Sequence, residues 1–561
     1  MMKKIENFYL EDPHLKEILE RYLDEDFFAW SDQELNTFGK LCAGEIDERA
    51  VHTDREGQPK LIKYNRLGEE ISQIWVNEGY KKTVEQTYNK GIVGYIHKNI
   101  PELARKGNYV YSYAQGYLLS QTEPGFYCPV TLSMATALLL ERYASHEVKE
   151  KFLPHVLSTG ETELYEGATF LTERQGGSDV GANDTKAIQN GDMYQIWGEK
   201  YFASNSGMCG VTMVLARIEG AFTGTKGLSL FAVPWRNDDG SLNGIHIRRL
   251  KDKLGVRAVP SAEVEFKGAE AYLVGEQDRG IYYMMEALNL SRVCNAIASI
   301  GIMRRAYLEA RNYAFYREAF GKPLTHYPMI KETLTRLAVK QEVETSAVFQ
   351  LVHLFDRVVS DDIPTTEEES TLNRLLIAIL KKESAEQAIH FSHEAIEIHG
   401  GNGYIEDFVL PRLLRDAQVL TVWEGTANIL GIEVLRLINK HKAHEYFLSQ
   451  MKRDLAHLPD ELIPLTLPVT KGIVILEQLL KLVVKGNPDT QTYHAKRIAE
   501  LMVNIFESVV ALKDAYTFKG ERKRMIAEVF IQETWKETEW IDEEMKSVQY
   551  FDEIVGVNVE V

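Results

Sequence analysis

The chain has 561 residues, 45% hydrophobic and 26% charged, with 82 Asp and Glu against 64 Lys and Arg for a formal net charge of −18. That length holds about three or four ordinary domains, and so acidic a surface disfavours phosphate backbones and anionic membranes. Four widely spaced cysteines, Cys42, Cys128, Cys209 and Cys294, form neither a zinc pattern nor a disulfide framework.

Residues 1–163 read as helical, with apolar spacing near three and four in His14 to Leu23, Asp32 to Ala43 and Leu132 to Leu157. Met1 to Asn7 leads into acidic sequence rather than an apolar run, so no secretory signal is expected. Two breaks, Asp54 to Pro59 and Thr122 to Gly125, interrupt the helical zone. Residues 164–275 change register: Tyr194 to Gly198, Val211 to Leu215, Leu228 to Val233 and Ala262 to Phe266 are short, rich in β-formers and separated by Gly, Asn and Asp turns. No helices alternate with them, which predicts an antiparallel sandwich or barrel rather than a parallel dinucleotide-binding sheet.

Residues 276–440 return to long helices, Gly280 to Ala319, Met329 to Val359 and Leu372 to His399, as in an antiparallel bundle. The acidic linker Ser360 to Ser370 joins two of them. Residues 441–561 are a further helical region: Gly472 to Lys485, Thr492 to Lys519 and Glu521 to Trp540. The best apolar run, Gly472 to Val484, is interrupted by Glu477 and Lys481, so no membrane span is expected and a cytoplasmic location is the simplest expectation. From residue 445 onward, 14 Lys and Arg against 20 Asp and Glu give a net of −6, which argues against nucleic acid as a partner.

Chemistry concentrates in Val422-Trp423-Glu424-Gly425-Thr426-Ala427-Asn428. Glu424 stands between an indole and a glycine, and a helix follows, with Thr426 as N-cap and Ile429, Leu430, Ile432, Val434, Leu435 and Ile438 as its apolar face. A carboxylate against an aromatic wall is desolvated and holds protons more tightly, as a base removing a carbon-bound proton should. Taken alone, Glu424 is better read as a charge complementing the helix N-terminus, and the rest of the chain reverses that preference. Four further segments precede it: Thr169 to Val180, whose Gly176-Gly177-Ser178 turn can offer amides to a phosphate or flavin oxygen; Gly198 to Asn205; Arg317 to Leu324; and His399 to Tyr404.

The order and spacing of these five segments resemble the acyl-CoA dehydrogenase family over about residues 120–440, and Arg174 to Asp179 with Trp423-Glu424-Gly425 most resemble its AidB-like, alkylation-response branch. The resemblance implies a multidomain α+β fold: an N-terminal helical domain, a middle antiparallel β-domain and a C-terminal four-helix bundle, followed here by a helical extension. It implies FAD between the middle domain and the bundle. Leu171 and Thr172 match positions on the flavin ring, Ser178 one near the pyrophosphate, and Phe202 and Ser204 an aromatic-x-hydroxyl pair that is Trp and Thr in many members. Arg317 and Phe320 match positions that reach the FAD of a neighbouring subunit. Gly400, Gly401 and Gly403 match the turn that lets backbone approach the cofactor, and Thr426 and Asn428 match further FAD contacts. Asn428 is shorter than the usual Gln, and Glu397 stands where many members carry Gln. Ser178, Arg292 and Gly425 are the residues placed at the substrate; an ion-pair role for Arg292 is the alternative.

The implied reaction is α,β-dehydrogenation of an acyl-CoA thioester. Glu424 takes the α-proton while the β-hydrogen leaves as hydride to flavin N5, with the thioester oxygen bonded by the base's own backbone N–H and the flavin ribityl chain. A homotetramer that passes electrons to an electron-transferring flavoprotein follows from the same resemblance. The competing reading is a flavoprotein of this fold acting mainly by binding nucleic acid or acyl chains; Lys519 to Arg524 is its one dense basic cluster. His390 and His393 share a helix with Glu386, Glu394 and Glu397, but the repeated Glu-x-x-His of a di-iron bundle is missing, so no metal is expected. Trp535 and Trp540, with Phe530 and Ile541, read as core anchors.

Overall fold

The computed structural model describes residues 4–360, 364–518, 520–536 and 544–556. Lys519, Trp540 and Ile541 lie outside the described residues. The chain forms two compact units, one made of residues 41–294 and the other of 1–40 with 295–561.

In the first unit, helices are started by side chains that bond the exposed amides of the first turn. Asn77 accepts from Tyr80 N, Asn108 from Tyr111 N and Ser145 from Val148 N. The helix Tyr109–Ser120 is buried along its whole length, and Pro124–Tyr143 is nearly so. A hairpin, Lys60–Tyr64 with Glu70–Trp75, fills part of the region read as helical. Its turn is closed by Asn65, whose Oδ1 accepts from Leu67 N and Glu69 N at 2.9 and 3.0 Å.

The middle of the chain forms a seven-stranded sheet. Ser261–Val274 pairs with Met193–Ser204, which pairs with Lys186–Asn190, then Cys209–Ile218, then Leu228–Pro234, which returns to Ser261–Val274. The strands therefore close into a ring, and closure removes exposed edges. Ile245–Leu250 and Glu166–Phe170 are added outside it. Pairing is antiparallel throughout except where Cys209–Ile218 meets Glu166–Phe170 and Lys186–Asn190, which run parallel to it. All four predicted strands lie within this sheet.

The second unit is helical. Pro328–Val359 and Glu367–His399 are its long members. The acidic linker ends in a capping box: Thr366 Oγ1 accepts from Glu369 N at 3.1 Å, and Glu369 Oε2 accepts from Thr366 N at 2.9 Å. Pro488–Thr517, from the C-terminal region, packs on both long helices and on Ala427–His441. Trp535, expected as a core anchor, is half-buried and packs at the edge of the core: its indole N–H donates to Ser508 Oγ at 2.9 Å, and a Cβ on Gly472 would lie 2.1 Å from its ring. Two residues of the described part of the basic cluster, Arg522 and Lys523, turn inward, whereas Arg524 is exposed. Arg522 and Lys523 pair with the buried Glu342, Lys523 also with Glu17 at 3.0 Å, and Arg524 with Glu528 at 3.3 Å. No helix among the described residues is long and apolar enough to cross a membrane.

Candidate active site

The helix Leu410–Leu420 ends where Val422 N and Trp423 N both reach the Val419 carbonyl at 2.9 Å. The next helix, Ala427–His441, begins at Thr426, which has N-cap backbone angles but whose hydroxyl makes no capping bond. Its buried face is Leu430, Val434, Leu435, Leu437 and Ile438, whereas Ile432, expected on that face, is 52% exposed. Between the two helices stands Glu424, half-buried, with φ +58. A side chain there crowds the following carbonyl and costs about 1–2 kcal/mol. Gly425 follows at φ +106, a conformation glycine adopts without that penalty.

Two buried side chains hold this segment. Asn295 Nδ2 donates to Leu420 O at 3.2 Å, and Lys381 Nζ donates to Gly425 O at 2.8 Å. Neither residue was singled out in the sequence. The only signal was a lysine directly after the apolar run Leu375 to Leu380, at a position the helix buries.

The helix bearing Lys381 ends in the glycine turn. Gly400 has φ +59 and ψ −134, and an added Cβ on Gly400 or Gly401 would meet nothing within 4 Å. The turn is thus open on the side where a ligand's backbone contacts would form. Gly403 differs: a Cβ there would lie 2.7 Å from Ile396 O, so its glycine serves packing under the turn. Asn402 Nδ2 donates to Tyr313 OH at 3.2 Å, and the Tyr313 ring stacks on His399 at 4.0 Å. Glu397 and Asn428 are both exposed. Arg317 is exposed, and Phe320, at the tip of the hairpin Glu318–Ala319 with Lys322–Pro323, is 95% exposed with φ +51.

In the other unit, Leu171 and Thr172 follow the strand Glu166–Phe170, and Phe202 and Ser204 end the strand Met193–Ser204. Tyr201 N donates to Thr172 O at 2.9 Å, which brings the two segments together. Phe202 is 57% exposed, with Lys251 Nζ 4.9 Å from its ring, and Ser204 Oγ lies 3.1 Å from Ser261 Oγ. Beneath them is an ion pair absent from the sequence reading. Lys200, 1% exposed, donates to Glu173 Oε1 at 2.8 Å, Leu215 O at 2.9 Å and Leu171 O at 3.3 Å. Glu173 also accepts from Asp184 N and from Thr185 N and Oγ1. Burial alone would raise the Glu173 pKa, but Lys200 and these donors hold it below the usual carboxylate range. The Gly-Gly-Ser turn folds over this anchor: a Cβ on Gly177 would lie 2.5 Å from Thr172 Oγ1, and Ser178 is exposed. Arg292 is not exposed; it is buried and donates to Asn289 Oδ1 at 3.3 Å.

Among the described residues, one set of acidic side chains is close enough to hold a metal: Glu344, Glu383 and Glu507, all buried. Lys340 Nζ lies 2.8, 3.1 and 2.7 Å from their carboxylates and takes the cation's place. The His390 and His393 helix face is not part of this set.

A ringed β-unit, a helical bundle and a carboxylate held in a strained turn before a bundle helix together define an acyl-CoA dehydrogenase fold. The chain belongs to that family. Residues 278–438 match the acyl-CoA dehydrogenase C-terminal domain, 168–269 its middle domain, and 2–160 the adaptive response protein AidB N-terminal domain. It is 32% identical to acyl-CoA dehydrogenase family member 11 of Caenorhabditis elegans, over 86% of this chain and 79% of the relative. It is also 32% identical to the putative acyl-CoA dehydrogenase AidB of Escherichia coli, over 79% of this chain and 80% of that one. The crystal structure of Caenorhabditis elegans ACDH-11 in complex with C11-CoA superposes with a TM-score of 0.88 at 28% identity, covering 100% of this chain and 97% of that one.

Proposed function

We propose that this chain is an FAD-dependent dehydrogenase of acyl-CoA thioesters with Glu424 as its base. The observation that carries the reading is the conformation of Glu424: a carboxylate kept at φ +58, between two buried polar anchors, where a glycine would sit without strain. The residues present suit FAD. The glycine turn at Gly400 and Gly401 is open, Ser178 and Thr426 are exposed hydroxyls, Arg317 is an exposed cation for a phosphate, and Phe202 offers an exposed ring face beside Thr172.

Leu171, Thr172, Ser178, Phe202, Ser204, Gly400, Gly401, Thr426 and Asn428 hold the cofactor in this reading. Arg317 and Phe320 reach that of a neighbouring subunit in a homotetramer. FAD, when bound, supplies the two-electron acceptor that takes the hydride from the β-carbon. Glu424 removes the α-proton onto its carboxylate, so that the C–H electrons form the new double bond, and the half-buried Trp423 beside it limits water at the base. Gly425 and Ser178 line the acyl-CoA. Arg292 fits that role less well, because it is buried against Asn289. The C11-CoA held by the Caenorhabditis elegans relative supports an acyl-CoA of similar chain length as the first substrate to try. An electron-transferring flavoprotein is the proposed acceptor, and the cytoplasm the proposed location.

The binding-only alternative is weakened by the inward pairing of Arg522 and Lys523 with the buried Glu342. Anaerobic titration of the flavoprotein with short, medium, long and branched acyl-CoAs tests the proposal. Bleaching by one chain class, lost in Glu424→Gln, supports it; retention of yellow colour with every acyl-CoA overturns it.

A further inference from the structure

We propose that Lys381 is the positioning residue of the base, acting through the Gly425 carbonyl to hold Glu424 in its left-handed conformation. The inference rests on the assignment of Glu424 as base, and its geometry lies wholly within one compact unit.

Lys381 is 1% exposed, in the middle of the helix Glu367–His399, with Leu380, Ser384 and Ala385 buried around it. An ammonium is costly to bury, and a helix that needed only packing there would be served by leucine or methionine. Its Nζ instead reaches out of its own helix to Gly425 O at 2.8 Å. That carbonyl belongs to the peptide joining Gly425 to Thr426, one residue beyond the base, so the bond acts on the backbone that sets the ψ of Gly425 and the φ of Thr426 and fixes the far side of the turn in which Glu424 sits. A charged donor on a carbonyl makes a stronger hydrogen bond than a neutral one.

The segment is gripped at its other end as well, where the 5% exposed Asn295 donates to Leu420 O at 3.2 Å. Between these two grips the chain takes positive φ at two successive residues, +58 at Glu424 and +106 at Gly425. A non-glycine residue relaxes out of that region unless its surroundings over-determine it. The helix Ala427–His441 takes up the chain at Thr426, through Leu430 N to Thr426 O at 3.0 Å, and Lys381 bonds the carbonyl just before it. A base displaced by a fraction of an ångström loses alignment with the carbon-bound proton, which reaction rate registers far more than binding does.

The test compares Lys381→Met, Lys381→Gln and Lys381→Arg in the FAD-loaded full chain. It measures FAD per chain, kcat and KM with the acyl-CoA that bleaches the wild type, and amide hydrogen exchange of residues 421–427. Lys381→Met is expected to keep FAD and a KM within about threefold while kcat falls about 30-fold. Exchange of 421–427 should rise about tenfold, with the helix 367–399 unchanged. Lys381→Gln, which keeps a donor without the charge, should recover part of the kcat and of the protection. Wild-type kcat and exchange in Lys381→Met would overturn the proposal. So would exchange that rises along the whole 367–399 helix together with loss of FAD, which marks a merely structural lysine. If Lys381→Met does not fold, the same split in Lys381→Gln decides, with wild-type values in both readouts counting against the proposal. If the wild type is bleached by no acyl-CoA, the dehydrogenase reading falls, whereas exchange at 421–427 still reports whether Lys381 holds the turn.

Discussion

Lys340 Nζ lies 2.7 Å from Glu507 Oε2, a buried contact that joins the bundle helix Pro328–Val359 to the C-terminal helix Pro488–Thr517. Glu344 and Glu383 share the same ammonium. Burial works against the charge on Lys340, yet Glu344, Glu507 and Glu383 together hold its pKa well above the ordinary value. Removing that one cation leaves three carboxylates packed together without it. Lys340→Met is expected to destabilise the protein by about 3–5 kcal/mol, the usual result of orphaning a buried charge. Chemical denaturation at neutral pH measures it, and a loss under about 1 kcal/mol would show that the cluster does not depend on the Lys340 charge.

Glu507 gives the same cluster a pH dependence. Burial first, then the neighbouring Glu344, raise its pKa well above the ordinary value. The native state therefore keeps a proton that the unfolded chain releases above about pH 4.3. Stability falls as pH rises from there through the native pKa, because the unfolded chain binds fewer protons over that window. Glu507→Gln cannot lose a proton, so its Tm relative to wild type should improve steadily between pH 5 and 8. A constant difference across that range would place the shared proton elsewhere.

The long helices, the four strands and the five segments were legible because each carries its own local signal: periodicity, β-branched runs or a glycine at a required turn. The hairpin Lys60–Tyr64 with Glu70–Trp75 was not, because its strands are short and mix lysine with apolar residues, and its turn lies in a polar stretch that reads as a break. Glu424 could be picked out by its neighbours Trp423 and Gly425, but its φ of +58 could not, since Glu has no preference for that region. Lys381, Lys200 and Lys340 were invisible for one shared reason. A lysine in a helix or strand is by default solvent-facing, and what makes these three informative is partners far away in sequence: Gly425, Glu173 and Glu507. Gly403 was legible as a required glycine but not as a packing one.

Lys200 ties the flavin-edge segment of the proposed site to the β-unit through Leu171 O and Glu173. Lys200→Met strips the charge from a pair in which Lys200 is 1% and Glu173 4% exposed. A loss of about 3–5 kcal/mol of stability is expected, together with weaker FAD retention because Leu171 and Thr172 are no longer fixed. Glu173→Gln, which keeps most acceptors, should be milder in both. FAD content after gel filtration and an unfolding midpoint read the two effects; unchanged FAD affinity in Lys200→Met would separate the ion pair from the cofactor.

Phe320 is 95% exposed at a hairpin tip with φ +51, and it meets the Tyr327 ring edge-on at 6.4 Å, so it buries little of itself in its own chain. Phe320→Ala should leave the unfolding midpoint within about 0.5 kcal/mol of wild type. If the residue reaches the cofactor of a neighbouring subunit, FAD should nevertheless dissociate faster at low protein concentration. Light scattering together with flavin fluorescence on dilution decides the point, and identical FAD retention would remove Phe320 from the cofactor site.

Glu424 offers a test in which activity and stability should move in opposite directions. Its carboxylate is the proposed base, so Glu424→Ala and Glu424→Gly should both lose bleaching by acyl-CoA. Their stabilities should differ, because alanine keeps the Cβ that is crowded at φ +58 and glycine does not. Relief of that crowding is worth about 1–2 kcal/mol, partly offset by the extra freedom glycine gives the unfolded chain. Glu424→Gly is therefore expected to be about 1 kcal/mol more stable than Glu424→Ala in urea. At Gly425 the order reverses: Gly425→Ala puts a Cβ at φ +106 and 3.3 Å from Ile429 Cγ2, and should lose stability. If Glu424→Ala matches Glu424→Gly, the turn relaxes easily, and the left-handed carboxylate is not a strained feature maintained for the reaction.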